Sequence, residues 1–201
     1  MSLLLKLEGL LDQSKRFDFL APLLIRIFLA PIFIIAGYGK LTNLESTAAY
    51  FGNPDWGLGL PAPMLLAILA ASAEFFGGIA ILIGLATRWF AIPLMFTMLV
   101  AATTAHWENG WHALPETTLT VPWEWREDKI DEAVVRRDKA REILKEHSNY
   151  DWITEAGSIT VLKNGIEFAA TYFLMIMVLF FYGAGRYVSI DYWIKQKFNP
   201  S

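Results

Sequence analysis

The stretch "LLAILAASAEFFGGIAILIGLATRW" (65–89) is almost wholly apolar, yet it carries one carboxylate, Glu74, near its middle. A run of this length suits a membrane helix, because about 20 helical residues cross a hydrocarbon core. An acid at the centre of such a helix costs roughly 2.5–3.5 kcal/mol on insertion scales. The stretch therefore predicts a span together with a partner, or a use, for Glu74.

Working outward, the 201-residue chain is 55% hydrophobic, and the apolar residues gather into four long blocks, about 19–41, 62–85, 88–106 and 164–184. Backbone polar groups in lipid must be satisfied within each segment, so the blocks are expected as helices. Their continuity argues against a transmembrane barrel, whose strands alternate apolar and polar residues. The predicted fold is all-α: an integral membrane four-helix bundle forming one domain over 1–201, with a helical periplasmic insertion at 107–163. Cysteine is absent and the net charge is only −3. Disulfides, thiolate metal sites and thiol redox chemistry are thereby excluded, and no basic patch points to nucleic acid. At the N-terminus, Leu3, Leu4, Leu7, Leu10 and Leu11 follow helical spacing. Two readings stand there, a helix lying in the membrane interface and a helix packed on the bundle.

Charge sets the expected orientation. Lys6, Lys15 and Arg16 precede the first block, Arg88 lies between the second and third, and Arg186, Lys195 and Lys197 follow the fourth. With four alternating crossings all three groups share one side, which the positive-inside rule makes cytoplasmic. Both termini are expected in the cytoplasm, and the loops 42–61 and 107–163 in the periplasm. Within the longer loop, 127–147 spaces Ile130, Val134, Ala140 and Leu144 close to one face, which predicts an amphipathic helix. The segment before it, "ALPETTLTVPWEW" (113–125), reads as a connection at the membrane surface. Trp56, Trp107, Trp111, Trp123 and Trp125 suit an outer aromatic belt.

The polar residues inside the blocks fall into two levels. Arg26 and Lys40 lie fourteen residues apart, about four turns, and Glu74 and Arg88 share that spacing. Counted from the cytoplasmic side, Arg26 sits about 10 Å up the first helix and Glu74 about 16 Å up the second, within reach of long side chains. Arg26, Glu74 and Arg88 are accordingly expected to form an inner polar core, with Arg26 paired to Glu74. At the outer helix ends, Lys40, His106, Asn164 and Glu167 are the candidates for one pocket, in which an ammonium, an imidazole and a carboxylate would bind a polar head group or relay protons. The alternative is that each only snorkels to the interface. In "HWENGWH" (106–112), His106, Glu108 and His112 are weak candidates for metal ligands, at a spacing that fits no fixed metal signature.

With these residues placed, the chain resembles the DoxX family of four-helix bacterial membrane proteins. The resemblance is carried by Arg26, "AGYGKL" (36–41), "AEFFGGIAILIGLATR" (73–88), "NGIEFAATY" (164–172) and "GAGRYVSIDYWI" (183–194). "YFGNPDWGLGLPAP" (50–63) and "VAATTAHWENGW" (100–111) are similar to the HvfX subgroup. The resemblance implies a multi-pass inner-membrane protein embedded in the lipid bilayer and working as a redox-associated or quinone-interacting component. The subgroup implies another role, a non-enzymatic partner of a small modified copper-binding peptide or of other membrane or periplasmic proteins. It carries over no catalytic residue, and quinone and copper both stand as possible ligands.

Overall fold

The computed structural model describes residues 8–9, 11–116 and 119–198. The expected interfacial helix at the N-terminus rests mainly on Leu3, Leu4, Leu7 and Leu10, outside the described residues. Among the described residues the structure is helical, with no strand. Three helices are long and apolar enough to cross a membrane: α1 (Leu20–Thr42), α3 (Pro63–Ile83), and Thr87–Asn109, which begins as α4 (Thr87–Val100). From Ala101 to His106 that third helix widens into a π-helix, with the Thr103 and Thr104 hydroxyls bonding back to Val100 and Leu99 carbonyls, and it closes with a 3-10 turn, Trp107–Asn109. The expected span at 164–184 is found as α7 (Glu167–Tyr182), an apolar helix of 16 residues. At 1.5 Å per residue it is about 24 Å long, shorter than a typical hydrocarbon core.

The remaining helices are α2 (Leu44–Gly52), α5 (Glu127–His147), α6 (Tyr150–Ile153) and α8 (Ile190–Phe198). Helix α2 was not expected, since 42–61 reads as a loop. It packs on α3 and buries Ala48, and the side chain of Asn53 then turns the chain by accepting the N–H groups of Asp55 and Trp56. Helix α5 has the expected bounds, with Ile130 and Ala133 buried and a charged opposite face laced by pairs such as Lys139–Glu142.

The chain divides into two compact units, one from Met1–Thr97 with Tyr172–Ser201, the other from Met98–Thr171. In the first, Leu29, Ala30 and Phe33 of α1 are buried with Ala67, Ala71 and Ile81 of α3, Leu94 of α4, and Ile176 and Leu179 of α7. Helices α1 and α3 approach closely at small residues. A Cβ on Gly37 would fall 2.8 Å from the Phe75 Cα, and one on Gly78 would fall 2.9 Å from the Ile34 nitrogen. Such close backbone approach is how membrane helices gain contact where no hydrophobic force separates protein from lipid. The second unit has a smaller apolar centre of Ala113, Ile130, Ala133, Ile166 and Ala169.

Candidate functional site: two intramembrane charges and a buried outer network

Arg26 and Glu74 are both buried, as expected, but they do not pair with each other. Arg26 spreads its guanidinium over four carbonyls. Nε donates to Ile81 (2.6 Å), one terminal nitrogen to Leu82 (2.6 Å), and the other to Ala184 and Val188 (both 2.8 Å). Two of these carbonyls belong to the end of α3, where the last carbonyls of any helix lack intrahelical donors. Gly84 makes room for this arrangement. It ends α3 at φ +69°, and a Cβ there would lie 2.5 Å from the Ser189 Cβ and 2.8 Å from the Arg26 guanidinium. Beside it, Asp191 at the start of α8 accepts the N–H groups of Ala86 (2.6 Å) and Thr87 (2.9 Å), capping the start of α4.

Glu74 instead pairs with Lys40. The register explains the difference from the expected pair. Arg26 lies level with Ile81, and Glu74 is seven residues earlier in α3, about 10 Å from the level of the arginine. Lys40 is the cation on α1 at the level of Glu74. The two side chains are unequally covered, Glu74 at 6% exposure and Lys40 at 28%. An ammonium has three donors and only one faces this carboxylate, so the Lys40 end of the pair can meet a further acceptor.

Arg88 does not join the inner core. It is exposed, donating from Nε to the Phe180 carbonyl (2.8 Å) and lying over the Phe180 ring. The fourteen-residue spacing from Glu74 holds only along an unbroken helix, and α3 ends at Ile83, before the left-handed turns at Gly84 and Ala86.

In the second unit the expected outer residues are held locally. His106 Nδ1 lies 2.9 Å from the Asn164 carbonyl, which also accepts from Asn109 (3.3 Å), and Asn164 itself has φ +65°. Glu167 opens α7 and accepts the Ala113 N–H (2.9 Å). The proposed metal ligands His106, Glu108 and His112 do not converge. Glu108 points to solvent beside Arg126, and both ring nitrogens of His112 are engaged by Glu124 and Thr120. Among the described residues no group of three His, Asp or Glu side chains is placed to hold a metal ion.

The most concentrated polar cluster of this unit was not expected. The Glu124 side chain is enclosed, and its two oxygens accept from Lys163 Nζ (2.6 Å), His112 Nδ1 (2.7 Å) and the backbone N–H groups of Trp111, His112 and Arg126. His112 Nε2 lies 2.8 Å from the Thr120 hydroxyl. Burial would raise the Glu124 pKa, but the hydrogen bonds from Lys163, His112 and the backbone outweigh it and hold the carboxyl well below the usual range. Lys163 is buried too, so the ion pair balances its own charge inside the unit. With the Glu124, Lys163 and His112 side chains enclosed and hydrogen-bonded, this network holds Glu124 to Lys163 and His112 and reaches the surface at Thr120. Its sequence signal is "WEW" (123–125), a lone carboxylate between two tryptophans, the same kind of anomaly as Glu74.

Comparison with known proteins bears on the first unit and the third span. The DoxX family model matches residues 21–107, which contain Arg26, Lys40, Glu74 and all three membrane-length helices except Leu20, Glu108 and Asn109. Inner membrane protein YphA of Escherichia coli (strain K12) is 37% identical over 101 residues, 48% of this chain and 69% of YphA. The putative oxidoreductase CatD of Bacillus subtilis (strain 168) is 32% identical over 92 residues, 46% of this chain and 63% of CatD. Inner membrane protein YqjF of Escherichia coli (strain K12) is 36% identical over 88 residues, 43% of this chain and 63% of YqjF. No solved structure matches. By the family match and the extent of YphA that it covers, this chain belongs to the DoxX family.

Proposed function

We propose that the protein is a redox-associated inner-membrane component that receives a quinone-type head group at the Lys40–Glu74 pair. One observation carries the reading: a charged pair set between two membrane-length helices, with its carboxylate covered and its ammonium partly open. Ionisable residues inside membrane segments are costly and are retained chiefly for ligand or proton handling. A quinone offers what Lys40 lacks, a carbonyl acceptor reached through the apolar layer, and Glu74 holds the ammonium in place to donate to it. The name of CatD, a putative oxidoreductase, supports the same direction.

In this reading residues 1–201 act as one membrane domain, with α7 as the fourth crossing helix. The termini face the cytoplasm and 107–163 faces the periplasm, where His106, Asn164 and Glu167 form the outer polar set. The test is to purify the full chain in mild detergent and extract it for quinone analysis by mass spectrometry. Co-purifying quinone, lost in Lys40→Met and in Glu74→Gln while both variants retain folded yield, is the expected result. Equal quinone content in all three proteins, or none in the parent after purification from quinone-replete membranes, overturns it. Orientation is tested separately by a single cysteine at position 138, which should react with an impermeant thiol reagent in intact spheroplasts.

A further inference from the structure

Helix α8 presents an apolar face that is exposed among the described residues. Ile190, Trp193, Ile194 and Phe198 are exposed at helical spacing i, i+3, i+4 and i+8, and Tyr187 and Val188 extend the exposed surface towards the preceding turn. The helix is mounted rigidly rather than loosely attached. Asp191 caps the start of α4, the Asp191 N–H donates to the Gly84 carbonyl (2.8 Å), and the Trp193 indole donates to the Tyr187 carbonyl (2.8 Å). A fixed helix with Trp, Ile and Phe on one side and lysines in its last turn has the composition of one that lies in a membrane interface.

Charge selects the kind of interface. In the same unit Asp12 pairs with Lys15, Asp18 pairs with Arg186, and Asp191 is occupied by backbone N–H groups. Arg16, Lys195 and Lys197 remain without a carboxylate partner among the described residues. Of the acids here Asp12 and Asp18 are paired, Asp191 is held by backbone N–H groups and Glu8 is exposed, while Lys195 and Lys197 stay open on α8, beside its apolar face and next to the start of α4.

We propose that α8 lies along the headgroup layer, buries Trp193, Ile194 and Phe198 at the acyl boundary, and binds anionic phospholipid through Lys195 and Lys197. The occupant of this surface is the anionic leaflet itself. Lysines near such a surface each contribute attraction to its phosphates, and the long stems let Lys197 reach the headgroups from the apolar side.

The parent has no cysteine, so single-cysteine full-length variants are direct probes. Ile194→Cys and Gln196→Cys, spin-labelled and placed in nanodiscs of phosphatidylcholine with phosphatidylglycerol, should differ. The label at 194 should be more accessible to oxygen than to a polar nickel reagent, and the label at 196 the reverse. Selectivity of the unlabelled protein for spin-labelled phosphatidylglycerol over phosphatidylcholine should fall by up to about fivefold for each lysine replaced in Lys195→Glu and Lys197→Glu. Phe198→Cys repeats the depth measurement should labelling at 194 perturb folding. Equal accessibility at 194 and 196 overturns the interfacial placement. Unchanged lipid selectivity in the double glutamate variant overturns the anionic recognition.

Discussion

Replacing Arg26 tests whether the end of the first unit is held by hydrogen-bond geometry or by charge alone. Arg26→Met keeps an apolar stem and removes four donors, leaving the carbonyls of Ile81, Leu82, Ala184 and Val188 without them. Hydrogen bonds to a charged group contribute about 1.5–3 kcal/mol each, so even the lower figure sums to about 6 kcal/mol over four. The bonds share one side chain and the carbonyls can relax towards water at the helix end, so they are not additive, and the expected loss is about 3–5 kcal/mol. Arg26→Lys retains the charge but offers a compact ammonium in place of a planar fork, and should recover no more than about half of that loss. The assay is unfolding of the full chain in mixed micelles by rising SDS, followed by far-UV circular dichroism. A loss below about 1 kcal/mol for Arg26→Met, or parental stability for Arg26→Lys, would show that the four carbonyl bonds are not what holds this end together.

A double-mutant cycle of Lys40→Met and Glu74→Gln in the same assay should give a coupling of about 1–3 kcal/mol, whereas Arg26→Gln combined with Glu74→Gln should be additive within about 0.5 kcal/mol. Thr87→Val should be neutral or stabilise by about 1 kcal/mol, since the buried Thr87 hydroxyl has no hydrogen-bond partner among the described residues and its removal ends a desolvation cost. Glu124→Gln should destabilise the second unit by about 3–5 kcal/mol by leaving Lys163 buried without its counter-charge. The same carboxyl predicts a pH dependence. Its folded pKa lies below the ordinary 4.5, so its contribution is complete above about pH 4.5 and is lost as the pH falls from there towards the folded value. Tryptophan-monitored thermal melts between pH 7 and 3 should show this acid loss in the parent and a flatter profile in Glu124→Gln.

The positions of the three membrane-length helices, the bounds of α5 and the burial of Arg26 and Glu74 were legible because each depends on composition or periodicity within one segment. Pairing was not, because it depends on the register between segments. A sequence count placed Arg26 within reach of Glu74, but the close approach at Gly37 and Gly78 sets α1 against α3 so that Lys40 meets the acid. Arg88 leaves the inner core for a different reason: Gly84 and Ala86, with left-handed backbone, end the helix and break the fourteen-residue spacing from Glu74. The Glu124 network was hidden for a third reason. It joins residues up to 52 positions apart, Trp111 to Lys163, and no local spacing encodes such a meeting. What the sequence does display there is the anomaly itself, a carboxylate flanked by tryptophans.

The carbonyls that satisfy Arg26 also impose an order on biogenesis. Two of its four bonds reach residues 158 and 162 positions later in the chain. At roughly 5–20 residues per second of synthesis, the arginine of the first helix waits about 8–30 s for Val188 to be made. During that interval its guanidinium must be sheltered by water, lipid phosphate or an insertion factor, because half of its final partners do not yet exist. A ribosome stalled before residue 184 would therefore hold an inserted but unlatched chain, recognisable to quality-control machinery by the same buried charge that later locks the finished protein.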